Sequence, residues 1–372
     1  MMTLLNRRAA ADLQDHQAPT RLEIRAAGLC CPVGYHLRAA SCALRANMDH
    51  FQESEFRSES FDPIRVARLP DDIYGHERLQ RWISHAVRDC AQGMQDPLSL
   101  QDPVRTGVVV LAPDATRTHT GDGFHAALVA NALHQLRPVE EADAAPGQGA
   151  DARIVTVIAQ GRAGLGSGLQ RAMQLLGAQT VEQVLLIGVD SYLNAADMNA
   201  MLRAERLLVK GNSNGFLPGE AAAALLLTLA APDARGVFIE GVGHATEPGR
   251  PDGSVPSRAI GLAQAIRAAC GQAQVTPADL DFRLSDQNGE QFFARESANA
   301  MTRIMFGAQQ LAHLTLADKI GEVGAATGVA MLAWLSHDMP HMDHSPGKLG
   351  VLHLANDGGD RCAVVIRHTG ES

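Results

Sequence analysis

Apolar runs of strand length alternate with amphipathic helical patterns along the chain, and this alternation limits the possible folds more than any other feature. Such an order is typical of α/β proteins, in which helices cover both faces of a mostly parallel sheet. Helical patterns such as those over residues 36–48 and 77–94 separate the apolar runs. The predicted strands are RLEIRAAGL, TGVVVLAP, RIVTVIA, QVLLIGV, AAAALLLTL, GVFIEGVGHA, DLDFRLSD, KLGVLHLAND and CAVVIRH.

The pattern restarts after residue 235, so the chain divides into two parts. A length of 372 residues suits two domains or one large fused α/β unit. We predict a polar tail over residues 1–20, a first α/β half over 21–235 and a second α/β half over 236–372. Residues 137–151 are acidic and rich in alanine, proline and glycine, which predicts a surface loop.

Composition argues against several classes of function. The net charge of −9 and the aromatic content of 4%, without basic blocks, argue against a nucleic-acid partner. No run approaches the ~20 apolar residues of a membrane helix, and the N-terminus lacks the apolar core of a signal peptide. The six cysteines have no CxxC spacing, and we interpret Cys30 and Cys31, in the first predicted strand, as structural. We expect a cytoplasmic protein with free thiols and no membrane partner.

The segment TVIAQGRAGLGSGLQRAMQLL (156–176) predicts a strand, a glycine-rich turn and an amphipathic helix. Turns of this kind often present a nucleophile to a buried pocket. This one offers Gln160, Gly161 and Arg162, with Ser167 as its nearest hydroxyl. Its spacing matches neither of the phosphate-binding patterns GxGxxG and GxxxxGK[ST], and Ser167 is not in a GxSxG elbow. We therefore predict no cofactor.

Five segments, in order over about residues 21–368, resemble the thiolase-like β-ketoacyl synthases, the condensing enzymes of fatty acid and polyketide assembly. The resemblance implies two similar α/β halves stacked as five layers, usually in a homodimer. It also implies that Glu220 packs behind the active site. The segments are IRAAGLCCPVG (24–34), NGFLPGEAAAALLL (214–227), TPADLDFRLSDQNGE (276–290), KIGEVGAATG (319–328) and ANDGGDRCAVV (355–365).

Condensation in this family needs a cysteine thiolate that accepts the acyl chain and two histidines that stabilise the developing negative charge. The chain has no cysteine between Cys90 and Cys270 and no histidine between His244 and His313. Conventional condensing activity is therefore not expected. The resemblance places three other residues at the corresponding positions: Arg162, Asp286 and Glu322.

Three arrangements of Arg162, Asp286 and Glu322 are open. They could pair and plug the former pocket, because unpaired buried charges are costly. One carboxyl could instead have a raised pKa and serve as a general acid or base, or the groups could be partly solvated in an open remnant. Decarboxylating relatives carry glutamine for the cysteine but keep the histidines, so Gln160, two residues away, does not complete that chemistry. Asp357 matches the family's gatekeeping phenylalanine and favours a hydrated pocket over an acyl tunnel.

The segment HDMPHMDH (337–344) gathers imidazole and carboxylate groups that could bind zinc or a related metal. It follows a predicted helix end and contains a proline, so we interpret it as a solvated loop. His337, His341 and His344 are weak metal candidates.

Two functions follow from these observations. The first is a catalytically degenerate member of the fold that acts by binding in a bacterial pathway, as an adaptor, a scaffold or a non-catalytic partner subunit. Its partner would be a synthase subunit, a carrier protein or a cargo protein, and the surface around RIVTVIA would serve homodimer or heteromer formation. The alternative is an enzyme of altered chemistry on an acyl thioester or acyl-carrier substrate, in which Arg162, Asp286 and Glu322 replace the cysteine and histidines.

Overall fold

The computed structural model describes residues 21–117, 123–136, 153–305, 307 and 310–370. Within these residues, ten strands form one mixed sheet and two form a separate hairpin. The strands are β1 (Leu22–Cys30), β2 (Phe51–Arg57), β3 (Pro63–Ala67), β4 (Thr106–Ala112), β5 (Val155–Ala159), β6 (Gln183–Ser191), β7 (Glu220–Leu229), β8 (Gly236–Thr246), β9 (Phe282–Ser285), β10 (Ala312–Thr315), β11 (Leu349–Ala355) and β12 (Asp360–Thr369).

All nine apolar runs that we predicted as strands are strands. The hairpin of β2 and β3 and the short strand β10 were not predicted, because their polar or short sequences carry no clear apolar alternation. Nine α-helices lie within the described residues. They are α1 (Leu37–Arg45), α2 (His76–Gln92), α3 (Phe124–His134), α4 (Gly164–Gly177), α5 (Ala195–Arg203), α6 (Ile260–Gln272), α7 (Gln291–Ile304), α8 (Ala317–Ile320) and α9 (Thr327–Asp338).

The large sheet contains the same strand order twice. From its centre, one run is β1-β7-β6-β4-β5 and the other is β8-β12-β11-β9-β10. In each run the first two pairings are antiparallel and the last two are parallel. The two runs meet where β1 pairs with β8 through only two residue pairs, Leu22 with Ile239 and Glu23 with Phe238. The chain therefore uses one five-strand topology in each of its two parts.

Helices cover both faces of each five-strand run. Helices α2 and α3 pack on the outer face of the first run, and α6 and α7 pack on the outer face of the second. Helices α4 and α9 lie between the runs, in a core with apolar residues from both. A Cβ atom at Gly328 of α9 would lie 2.8 Å from the side chain of Leu165 in α4, so glycine lets the two central helices meet. The predicted α/β fold of five layers is confirmed.

The boundaries of the predicted domains, residues 21–235 and 236–372, stay a prediction, although the break between them falls between β7 and β8. The predicted tail over residues 1–20 and the predicted loop over 137–151 lie outside the described residues. No described helix has the length and apolar character that crossing a membrane requires.

Candidate functional site

The turn between β5 and α4 has the predicted strand, turn and helix. Strand β5 ends at Ala159, a short 3-10 turn covers Gly161–Ala163, and α4 begins at Gly164. Gly161 has a φ of +58°, a left-handed conformation that glycine adopts without steric cost. The turn contacts β11, β12 and the segment before α9, so it brings Arg162 against the second half of the molecule.

Arg162 is buried among carboxylates from three other segments. Its Nη1 donates to Glu322 Oε2 at 2.8 Å, and its Nε lies 3.6 Å from Asp286 Oδ2. Its Nη2 lies 3.9 Å from Asp357 Oδ1, and its guanidinium carbon lies 4.6 Å from the centre of the Phe293 ring. Only 6%, 4% and 3% of the Arg162, Asp286 and Glu322 side chains are exposed, so the three charges are closed off from solvent.

The two buried carboxylates also accept hydrogen bonds from nearby backbone and amide groups. Asp286 Oδ2 accepts from the backbone N–H of Ala355 at 2.8 Å. Glu322 Oε1 accepts from the N–H of Gly324 at 2.8 Å, and its Oε2 accepts from Asn288 Nδ2 at 2.6 Å. Backbone N–H groups of this kind could otherwise stabilise an oxyanion on a substrate. Here the protein's own carboxylates occupy them.

The pKa values of the cluster reflect burial opposed by charge pairing. Burial raises the pKa of Asp286 to about 6, although the positive charge of Arg162 and the N–H of Ala355 oppose that rise. Burial lowers the pKa of Arg162, but Glu322 and Asp286 outweigh it, so the pKa lies above its ordinary value. The cluster therefore favours the charged form of Arg162, whereas Asp286 changes its protonation state near pH 6.

A second buried arginine lies behind the cluster. Arg117 donates to both oxygens of Asp190, at 3.1 and 3.2 Å, and to Asp197 Oδ2 at 3.0 Å. Asp190 Oδ2 also accepts from the N–H of Ala325 at 2.9 Å. Glu322 and Asp190 thus occupy two successive N–H groups of the 3-10 turn that precedes α9, where negative charge is favoured by the helix dipole.

An outer ion pair separates the cluster from solvent. Arg206 donates to both oxygens of Glu290, at 2.7 and 2.8 Å, and also pairs with Asp357. A surface pocket of about 300 Å³ is lined by these three residues but not by Arg162, Asp286 or Glu322. The Asp357 side chain is 54% exposed, in agreement with a hydrated environment for it. The pocket therefore ends at the outer pair.

Cys362 and His244 lie next to α4, although neither is at a position that matches the family's catalytic cysteine or histidines. Cys362 on β12 lies opposite His244 on β8. A Cβ atom at Gly166 would lie 2.8 Å from Cys362 Sγ and 2.1 Å from His244 Cε1. Burial raises the pKa of Cys362 to about 12, so this thiol is protonated at neutral pH and is not an activated nucleophile. Cys30 and Cys31 are also fully buried with raised pKa values, mainly through burial.

The other residues of the sequence analysis lie outside the charged cluster. Gln160 Oε1 accepts from Ser167 Oγ at 2.7 Å, on the exposed side of the turn. Glu220 is fully buried and accepts from Arg78 Nε at 2.6 Å, and it also accepts from the backbone N–H of Leu69. Glu220 therefore fixes α2 and the segment after β3 to the start of β7.

The weak metal candidates lie at the end of α9. His337 Nδ1 lies 2.9 Å from Asp338 Oδ1, and His341 Nδ1 lies 2.7 Å from the carbonyl oxygen of His337. His344 Nε2 lies 2.7 Å from Arg45 Nη1. The three imidazole rings stack, with centres 5.1 and 4.9 Å apart. In the described part of the chain, no group of three or more histidine, cysteine, aspartate or glutamate residues is placed to hold a metal ion.

Sequence reasoning found the centre of the cluster but missed its surroundings. Arg117, Asp190, Arg206 and Glu290 were not identified, because they follow no motif and their partners are distant in sequence. The interval between Arg206 and Glu290, for example, is 84 residues. The sequence did contain one signal for Asp190. This aspartate lies near the end of a predicted strand that is otherwise apolar on both faces. A charged residue in such a place needs a buried partner.

The arrangement of strands and helices is shared with ketosynthases of polyketide assembly. A structure of a type II polyketide synthase acyl-carrier protein in complex with its ketosynthase bound to the hexaketide matches with a TM-score of 0.73 and 13% identity, covering 95% of this chain and 100% of that chain. The oxazolomycin ketosynthase domain of Streptomyces albus JA3453 matches with a TM-score of 0.74 and 14% identity, covering 95% and 75%. The ishigamide ketosynthase/chain length factor matches with a TM-score of 0.70 and 16% identity, covering 95% and 100%.

These similarities establish the fold: the chain has the thiolase-like fold of the ketosynthases. The similarity lies in structure, since no protein-family model and no curated protein matches the sequence. One fold hosts many activities, so the fold alone does not assign a function to this chain.

Proposed function

We propose that this chain is a non-catalytic ketosynthase-like protein that acts by binding other proteins, as an adaptor, a scaffold or a partner subunit. The observation that carries the proposal is the buried Arg162, paired with Glu322 and lying beside Asp286. By resemblance, these are the positions of the family's thiolate and two imidazoles. A guanidinium that is charged and hydrogen-bonded has no free electron pair with which to attack a thioester.

Access to the cluster supports the same conclusion. The pocket of about 300 Å³ ends at Arg206, Glu290 and Asp357, so a bound acyl group there would meet an ion pair before it reached Arg162. Separating those charges would leave buried groups unpaired, at a cost of several kcal/mol. A ligand would have to supply that free energy before any chemistry began.

The edge strand β5 is the surface that we propose for association. Within the described residues it is the outermost strand of the first run, and its one sheet partner there is β4. Val155 and Val157 on this strand are 36% and 42% exposed. An exposed apolar edge strand presents unpaired backbone groups to a second chain, which can add its own strand. By the resemblance, that second chain is a copy of this one or a related ketosynthase-like subunit.

The similar structures support protein partners of this class. One is a ketosynthase with an acyl-carrier protein, and another is a ketosynthase/chain length factor. We propose that this chain works in the same setting, in the cytoplasm of a bacterium, with a synthase subunit, a carrier protein or a cargo protein as its partner.

One observation favours the alternative of an enzyme with altered chemistry. Burial raises the pKa of Asp286 to about 6, which is the range of a general acid or base at neutral pH. Asp286 is nevertheless only 4% exposed, forms an ion pair with Arg162 at 3.6 Å and accepts a hydrogen bond from the N–H of Ala355. The binding function therefore remains the better supported one.

Incubation with acyl and malonyl thioesters tests the absence of catalysis. Mass spectrometry of the intact chain should show no acyl adduct, and no carbon dioxide should be released, while a condensing enzyme with its cysteine gives both signals. Turnover that disappears in Asp286→Asn would contradict the binding function and establish the alternative. Turnover that persists in that variant would contradict both.

Light scattering on the purified chain tests the association surface. We expect a dimer whose dissociation constant rises at least about tenfold in Val157→Lys, because a lysine on an edge strand opposes strand addition. Val255→Lys is the matched control, since Val255 is equally exposed at 42% but lies in a loop after β8. Equal effects of the two variants would refute β5 as the interface.

A further inference from the structure

Arg283 lies between the sheet and α7, and no acidic side chain of the described part of the chain forms an ion pair with it. It belongs to β9 and is half-buried. Its Nη1 donates to Ser297 Oγ at 2.8 Å and lies 3.4 Å from His353 Nε2. Neither partner carries a negative charge. Ser297 has an uncharged hydroxyl, and burial and the nearby Arg283 hold the pKa of His353 at about 3, so its ring is neutral at neutral pH. The positive charge is therefore hydrogen-bonded but not neutralised.

Five arginines whose side chains are at most 17% exposed each form an ion pair with a carboxylate. Among the described residues, no carboxylate oxygen lies within 4.0 Å of the Arg283 guanidinium nitrogens, so Arg283 forms no ion pair there. Burial lowers the pKa of Arg283 to about 10, without any opposing acidic group. These five pairs are Arg78 with Glu220, Arg117 with Asp190, Arg162 with Glu322, Arg206 with Glu290 and Arg361 with Glu296.

Arg283 lines a surface pocket of about 420 Å³ at the end of α7. The volume lies within the ~300–1,000 Å³ that is common for small-molecule sites. The walls combine apolar side chains with a few polar ones, and Arg283 is the one charged residue among the described residues that line the pocket. The lining residues are Arg283, Ala298, Met301, Thr302, Met305, Gly307, Gln310 and Leu311.

We propose that this pocket binds a small amphipathic carboxylate, with its acidic headgroup on Arg283 and its apolar body along Met301, Met305 and Leu311. The planar guanidinium presents a fork of N–H groups that matches the two oxygens of a carboxylate. Methionine side chains adapt to apolar ligands of different shape. The bound anion would supply the counter-charge that the chain itself does not provide at this position. This site is separate from the Arg162 cluster and from β5, so it goes beyond the proposed binding of protein partners.

Calorimetric titration with octanoate tests the site on the full chain. We expect saturable binding of octanoate with a dissociation constant of roughly 1 mM or tighter. Acetate, which lacks the apolar chain, and octanol, which lacks the carboxylate, should not saturate the site. Octyl phosphate and inorganic phosphate form a second arm. Binding of octyl phosphate in preference to octanoate would overturn the carboxylate assignment.

Variants then locate the binding. Arg283→Gln should weaken octanoate binding at least about tenfold, because a charge-assisted hydrogen bond is lost, while Arg283→Lys should retain part of it. Ala298→Trp should block the pocket while it leaves Arg283 in place. Arg295→Gln is the matched control. Arg295 is exposed on α7, the helix that borders the pocket, and within the described residues its side chain donates only to Gln291.

Three results would refute the proposal: no octanoate binding to the unmodified chain, unchanged binding in Arg283→Gln, or unchanged binding in Ala298→Trp. Thermal unfolding of each variant without ligand separates a loss of binding from a loss of folding. A shift of the melting temperature by octanoate in the unmodified chain and in Arg295→Gln, but not in Arg283→Gln, is the expected pattern.

Discussion

Arg162 is buried and Arg283 is half-buried, and the protein treats their charges in opposite ways. Arg162 has three carboxylates within 3.9 Å and lies in a closed cluster. Among the described residues, Arg283 has Ser297 and His353 as its side-chain partners, and it borders an open pocket. The difference indicates that the first charge is satisfied by the fold and the second is available to an outside anion. We therefore place ligand binding at the second position and structural closure at the first.

The largest expected effect comes from Arg162→Met. The substitution leaves Asp286 and Glu322 buried without their counter-ion, and we expect it to lower the free energy of unfolding by about 3–5 kcal/mol at pH 8. Urea denaturation followed by circular dichroism measures this loss. The loss should be smaller at pH 5, because Asp286 then takes up a proton.

A triple variant is the control for that effect. Arg162→Met combined with Asp286→Asn and Glu322→Gln removes all three charges and should recover most of the lost stability. If the single variant cost no more than about 1 kcal/mol, the cluster would be solvated rather than closed, and the contrast with Arg283 would disappear.

The pH dependence of Asp286 should produce the next largest effect. Its pKa is about 6 in the folded protein and ~3.9 in an unfolded chain, so the folded state holds the proton more tightly. The associated stability is fully present below pH ~3.9 and is lost as the pH rises through about 6, a change on the order of 3 kcal/mol. Asp286→Asn removes this dependence. The free energy of unfolding of Asp286→Asn, minus that of the unmodified chain, should therefore rise between pH 5 and pH 8.

Histidines do not obscure that comparison. Burial lowers the pKa values of His313 and His353, to about 4 and about 3, so both oppose folding as the pH falls below ~6.5. They are present in both proteins and cancel in the difference. Parallel curves of unfolding free energy against pH for the two proteins would show that Asp286 has an ordinary pKa.

The smallest effect is expected from Arg283→Met. Removing a charge that has no counter-ion offsets the loss of the hydrogen bond to Ser297, so the free energy of unfolding should change by no more than roughly 1 kcal/mol. The same urea titration, beside Arg162→Met, gives the comparison directly. A loss as large as that of Arg162→Met would mean that Arg283 has an acidic partner within the chain.

Much of the fold could be predicted from the sequence, because apolar runs and turn residues determine it locally. The strand runs, the turn before α4 and the five-layer architecture all followed from such patterns or from the resemblance. The resemblance also assigned Arg162, Asp286 and Glu322 to one former pocket, but it left open whether they pair, are partly solvated or include a general acid or base, and the pairing itself comes from the structure.

The rest could not be predicted because it depends on pairings across the chain that leave no local pattern. Arg206 reaches Glu290 over 84 residues, and Cys362 meets His244 only because β12 pairs with β8. Arg283 was overlooked for a different reason. A charged residue inside a short apolar strand was visible in DLDFRLSD, but only the structure shows that α7 provides no carboxylate for it.

The two five-strand runs of the sheet are joined by very little strand pairing. Only Leu22 with Ile239 and Glu23 with Phe238 link β1 to β8, whereas α4 and α9 lie against strands from both runs. Cohesion thus depends on the central helices rather than on the continuity of the sheet. A chain cleaved between Leu229 and Gly236 should therefore survive as two fragments that stay bound and copurify, a split protein held together by its middle layer.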